Sequence, residues 1–125
     1  MKHLLTTTAA VESGTGLALV TAPSVVAALI LGSSLDTALA LAFARIAGVA
    51  ILALGVACWF ARRDEEARSA RGIIGAMVLY NVGVLLLLVY AGVASGLSGI
   101  ALWPMVLVHA VMGVWCVTRL LRRLP

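Results

Sequence analysis

The sequence predicts an all-α integral membrane protein, a bundle of four antiparallel transmembrane helices with both chain ends on the cytoplasmic side. Of its 125 residues, 63% are hydrophobic and 11% are charged, whereas soluble domains carry about a quarter charged residues. The mean hydropathy is +1.14. A small soluble domain buries only about two-thirds of its surface, so water could not solvate the rest of such an apolar chain. A lipid bilayer is therefore the expected surrounding.

Four apolar runs divide the chain, and each is long enough for the roughly 20 residues that a membrane helix requires. The predicted helices cover about 4–32, 37–61, 72–94 and 99–118, within a single domain, 1–125. Only helices and closed barrels satisfy every backbone group in lipid, and the runs lack the alternation of barrel strands. Short loops join the first and last pairs, which favours antiparallel neighbours.

The distribution of arginines predicts the orientation. Arginines cluster in the charged loop 62–71 and in the C-terminal tail, whereas the other two loops contain no Lys or Arg. Positive charge favours the cytoplasmic side of a membrane, so this loop and both termini are predicted to be cytoplasmic. Trp59 and Trp115 fall at the predicted cytoplasmic helix ends, where aromatic side chains are common. The membrane is predicted to be a bacterial cytoplasmic (inner) membrane.

Small residues recur four apart on the second predicted helix, at Ala40, Ala44 and Gly48. Such rows allow helix backbones to approach closely, either within one chain or in a dimer. For a chain of four helices, the sequence favours packing within the monomer.

Each predicted helix carries a polar residue that lipid disfavours: Glu12, Arg45, Asn81 beside Tyr80, and His109. A charged side chain at a helix centre costs about 2.5–3.5 kcal/mol, so such residues usually face the bundle interior and have partners. All five are candidate binding or coupling residues. Counted at 1.5 Å per residue, the depths predict that Arg45 reaches Asn81 and His109. The alternative is that Arg45 is a structural pin, hydrogen-bonded to helix carbonyls.

The same count places Glu12 near the cytoplasmic surface, where an ion pair with Arg62 or Arg71 is the favoured interpretation. His109 is either a proton carrier, since its pKa is ordinarily near neutrality, or a neutral histidine that bonds across helices, which is favoured. Asn81 is expected to link helices rather than to bind a ligand.

A stripe of soft ligands lies on one predicted face of the fourth helix, at His109, Met112 and Cys116, with Cys58 at a similar depth. Imidazole, thioether and thiol groups suit Cu(I), but in membrane helices they usually serve packing, and packing is the favoured interpretation. The sequence predicts no metal and no cofactor. Both cysteines fall near the cytoplasmic ends, where a disulfide is not expected.

The length, the four helices and the glutamate in the first helix resemble the small multidrug resistance transporters. In that family a membrane glutamate alternately binds protons and cationic compounds, and the resemblance would give this role to Glu12 alone. It extends to architecture rather than to motifs. The sequence departs from the family at Arg45, which would place a fixed cation in the bundle.

No hydrolase, metalloprotease or nucleotide-binding motif is present, so an enzyme is not favoured. The arginines adjoin apolar runs instead of forming a nucleic-acid surface. The leading hypothesis is a non-enzymatic membrane subunit or scaffold that binds a membrane protein partner or further copies of itself. The alternative is a small oligomeric transporter, proton- or cation-coupled, that uses Glu12, Arg45 and His109. A lipid-modifying or redox enzyme is the least favoured hypothesis.

Overall fold

The computed structural model describes residues 2–63 and 68–122, and this part of the chain is helical without strands. Three helices are long and apolar enough to cross a membrane, and a bent pair at the N-terminus makes a fourth candidate if it counts as one span. This confirms the predicted all-helical architecture, with five helices in place of four. The helices are α1 (Lys2–Thr21), α2 (Pro23–Leu31), α3 (Ala38–Ala61), α4 (Arg68–Val93) and α5 (Leu102–Leu121).

The first predicted helix, 4–32, is wrong as a single continuous helix, because the chain bends by 114° between α1 and α2. Pro23 causes the break, since proline has no N–H and its ring clashes with the preceding turn. The same residue begins α2, where a missing N–H is tolerated. Gly32 ends α2 in a left-handed conformation, with φ of 75°, that other residues rarely adopt.

The other three predicted helices are close to those observed. α3 begins one residue late because the Thr37 side chain caps it, accepting a hydrogen bond of 3.1 Å from the Ala40 N–H. α4 begins at Arg68, four residues before the predicted start, so part of the predicted loop 62–71 is helical and its residues 64–67 lie outside the described ranges. α5 is displaced by three residues toward the C-terminus.

Close glycine contacts hold α1 against α3. A Cβ atom on Gly16 would lie 2.6 Å from the Leu52 backbone nitrogen, and one on Gly48 would lie 2.9 Å from the Gly16 carbonyl oxygen. Further along the same contact, a Cβ on Gly55 would meet the Ser13 side chain. At Gly48 the predicted row of small residues therefore packs within the monomer. The other close helix pair is α4 with α5.

The two pairs, α1–α3 and α4–α5, meet through a buried apolar cluster. At the other end of the pairs, α2 lies between them. The N–H groups of Gly99 and Ala101, in the segment before α5, donate to carbonyl oxygens of Ile30 and Leu29 at 3.2 and 2.8 Å. The cluster comprises Leu4, Leu5, Ala9, Cys58 and Ala61 from the first pair and Ala70, Ile74, Met77, Met112 and Cys116 from the second.

Candidate functional site

Glu12 lies buried between the two helix pairs, with 4% of its surface exposed. The Tyr80 hydroxyl on α4 faces the Glu12 carboxyl within interaction range. The predicted ion pair with Arg62 or Arg71 is wrong. Because α1 begins at Lys2, Glu12 is ten residues along the helix, about 15 Å from its start, and therefore deeper than the sequence count assumed.

Asn81 and His109 form a buried link between α4 and α5, as their predicted depths suggested. The Asn81 side-chain Nδ2 donates to the Met77 carbonyl at 2.7 Å, and its Oδ1 lies 3.0 Å from His109 Nδ1. Since the amide nitrogen is already a donor, the oxygen accepts from His109, and the proton of a neutral imidazole is on Nδ1. This arrangement leaves His109 Nε2 as an acceptor.

Tyr80 connects the two parts of the site. Its ring meets the His109 ring edge to face, with centroids 5.7 Å apart and an interplanar angle of 73°. Glu12, Tyr80, His109 and Asn81 thus form a continuous row of polar side chains from α1 across α4 to α5, which we call the polar seam. Four of the five candidate residues from the sequence belong to it.

Arg45, the fifth candidate, lies elsewhere. Its side chain is exposed on α3, and Nε donates to the Val20 carbonyl oxygen at 3.3 Å. The predicted cluster with Asn81 and His109 is therefore wrong, and the alternative of a pin bonded to helix carbonyls agrees with this contact. The last carbonyls of a helix have no partner within it and carry the negative end of its dipole. Because Pro23 forces α1 to end, one of these carbonyls, that of Val20, lies beside Arg45.

The predicted soft-ligand stripe is one buried face of α5, since His109, Met112 and Cys116 are all buried. Cys58 and Cys116 are free thiols, and both lie close enough to Glu12 for a charge on its carboxyl to act on them. Within residues 2–63 and 68–122, no group of three or more His, Cys, Asp or Glu side chains is placed to hold a metal ion.

Sequence reasoning missed Thr8. Its hydroxyl is buried, with 1% of the residue exposed, and has no hydrogen-bond partner within residues 2–63 and 68–122. Thr8 lies four residues before Glu12, so both side chains are on one face of α1. That spacing is visible in the sequence and could have identified the pair as one polar face.

Two cavities beside α2 were also missed, because hydropathy does not reveal that the chain bends by 114° after α1. Their volumes are about 320 and 200 Å³, and Thr15, Val26 and Ile30 line both of them. Thr15 lies three residues after Glu12 and therefore near the same face of α1. Almost all of the other lining side chains are aliphatic, so the cavities offer an apolar space one helical turn from the seam.

Comparisons with known proteins do not identify the chain. No protein-family model matches the sequence, and no curated protein or solved structure matches it.

Proposed function

We propose that this chain is a small carrier in a bacterial cytoplasmic membrane, with both termini cytoplasmic, and that Glu12 exchanges a proton for a small cation. One observation carries the proposal: Glu12 is buried in the polar seam, and in the described part of the chain its carboxyl faces one neutral hydroxyl, that of Tyr80. A carboxylate has about four acceptor sites. A buried, ionised carboxylate with one hydroxyl partner is strongly disfavoured.

Two states of Glu12 avoid that cost. In the first, a proton neutralises the carboxyl. In the second, a bound cation balances the carboxylate, with Tyr80 donating to one of its oxygens. A proton and a cation that compete for one group are coupled, because each must leave before the other binds. The arrangement therefore supports exchange.

The division into two helix pairs suggests how Glu12 is exposed first to one side of the membrane and then to the other. Within the pairs, contacts are close: Gly16 meets Gly48, and Asn81 bonds to His109. Between the pairs lie the buried apolar cluster and the contact of Glu12 with Tyr80. Rocking of one rigid helix group against another around a site at mid-depth is a common mechanism in secondary transporters. One chain encloses little space, so we propose that a homo-oligomer forms the complete pathway.

Flux through liposomes that contain the purified protein tests the proposal. The liposomes hold an acidic interior and a fluorescent pH indicator, and Na⁺, K⁺ or propylammonium is added outside. We expect at least one of these cations to discharge the pH gradient through the native chain. Glu12→Gln should abolish this flux, because the amide cannot exchange a proton. Tyr80→Phe should reduce it.

The matched control is Tyr90→Phe, because Tyr90 is on the same helix and is 65% exposed. It should leave flux unchanged. If no cation discharges the gradient faster through the native chain than through Glu12→Gln, the carrier proposal is wrong.

A non-enzymatic membrane subunit is the second candidate, and a different observation favours it. Arg45 bonds to the Val20 carbonyl, and Asn81 bonds to both Met77 and His109. These polar groups therefore have internal partners and can be explained by stability alone. Native mass spectrometry after mild solubilisation at natural expression should then find the chain bound to another membrane protein. A chain recovered alone and monomeric would contradict this candidate.

A further inference from the structure

We infer that Arg45 and the groove beside it on the outward face of α3 form a binding site for a phospholipid, with the phosphodiester on the guanidinium and one acyl chain in the groove. The site is separate from the polar seam and does not depend on the carrier proposal. The groove has a volume of about 440 Å³ and is lined by Arg45, Ile46, Val49, Ala50 and Ala53.

The guanidinium retains donors for an anion. An arginine side chain has five N–H donors, and the contact to Val20 uses Nε alone. That contact also holds the side chain against the end of α1. Among the residues that the structure describes, the two terminal nitrogens have no acceptor, so a phosphodiester can accept from both of them at once.

The depth of Arg45 suits a phosphate group. α3 has 24 residues and is about 36 Å long, slightly more than the hydrocarbon thickness of about 30 Å. Arg45 is seven residues from the first residue of α3, about 10 Å along it. From that position a long side chain can extend toward the headgroup region while its methylene groups stay in lipid.

The groove continues from Arg45 toward the middle of the helix. Ala53 is eight residues further along, about 12 Å deeper. Ala50 and Ala53 leave the groove open because their side chains are small. A phospholipid matches both parts of the site, since its phosphate binds the Arg45 guanidinium and its acyl chain fills the apolar groove.

A second copy of the chain fits less well. Of the described acidic side chains, Glu12 is buried and Asp36 accepts a hydrogen bond of 2.8 Å from Ser34. Glu12 therefore cannot reach the Arg45 groove of another copy, and Asp36 lies in the loop before α3 and does not line that groove. The structure therefore favours a lipid phosphate as the anion.

Native mass spectrometry of the full chain tests the site. The protein is purified in a nonionic detergent, stripped of lipid, and incubated with phosphatidylglycerol. We expect the native chain to retain lipid, and Arg45→Gln to bind it about tenfold more weakly or worse, as for the loss of one charge-assisted contact. Arg45→Lys should be intermediate, because an ammonium cannot form the paired contact.

A second variant tests the groove without touching the arginine. Ala53→Leu fills the groove and should weaken lipid binding, while the Arg45–Val20 contact is kept. The matched controls are Ala47→Leu, at an exposed position of α3 that does not line the groove, and Arg71→Gln, at an exposed arginine near the start of α4. Both should bind lipid as the native chain does.

The inference is overturned if Arg45→Gln and Ala53→Leu, both folded by circular dichroism, retain lipid as well as the controls do. It is also overturned if the native chain retains a second copy or another protein at this face in place of lipid. These results do not depend on cation flux, so the lipid site and the carrier proposal can fail separately.

Discussion

Replacing Gly16 with alanine should force α1 and α3 apart. The new Cβ would lie 2.6 Å from the Leu52 nitrogen and 2.7 Å from the Gly48 carbonyl oxygen, whereas ordinary contacts begin at 3.4 Å. The helices would therefore have to separate by about 0.8 Å at this point. Both neighbouring atoms belong to the helix backbone, so no side-chain rotation can relieve the overlap.

Two effects of the substitution oppose each other. Overpacking typically costs about 1–3 kcal/mol, whereas alanine is favoured over glycine inside a helix by about 0.5–1 kcal/mol. We expect a net loss of about 1–2 kcal/mol in the free energy of unfolding. The assay is reversible unfolding in mixed dodecyl maltoside and SDS micelles, followed by far-ultraviolet circular dichroism.

Gly14→Ala is the matched control, since it changes the same helix two residues away. A Cβ on Gly14 would meet no described residue within 4 Å. This variant should gain up to about 1 kcal/mol from helix propensity alone. If Gly16→Ala is as stable as Gly14→Ala, the backbone contact between α1 and α3 does not exist in the folded protein.

Three further predictions concern the seam and α2. In a double-mutant cycle, Asn81→Ala and His109→Ala should couple by about 0.6–1.7 kcal/mol, and additive effects in the same unfolding assay would contradict their hydrogen bond. Thr8→Val should raise stability by about 1 kcal/mol or more, because it removes a buried hydroxyl that has no partner in the described part of the chain; a lower stability would show that the hydroxyl is bonded. Gly99→Ala should speed amide hydrogen exchange in α2, since its Cβ would overlap the α2 backbone, whereas Gly83→Ala, with open space around it, should not.

The sequence was sufficient for α3, α4 and α5 because a long apolar run between polar loops is typical of a helix that can cross a membrane. It was not sufficient at Pro23. A proline shows that a helix can end there, but hydropathy is the same for a kinked span and for one that turns by 114°. The cavities beside α2 depend on that turn and could not be predicted.

In the candidate site, too, some contacts could be predicted from the sequence and others could not. Asn81 and His109 were predicted at matching depths on straight helices, and the structure joins them. Arg45 was assigned to the wrong cluster, because depth does not determine which face of a helix a residue is on. The first helix was assumed to continue past Pro23. The Val20 carbonyl would then have been bonded within the helix, and its contact with Arg45 could not be anticipated.

Cysteine cross-linking in native membranes measures the contact on which the functional proposal rests, the approach of α1 to α4 at Glu12 and Tyr80. In a background of Cys58→Ala and Cys116→Ala, the pair Glu12→Cys with Tyr80→Cys is oxidised with copper phenanthroline. We expect rapid disulfide formation within one chain, and none when Tyr90→Cys replaces Tyr80→Cys. If the 12–80 pair reacts no faster than the 12–90 pair, then the polar seam does not join the two helix pairs and Glu12 is not held between them.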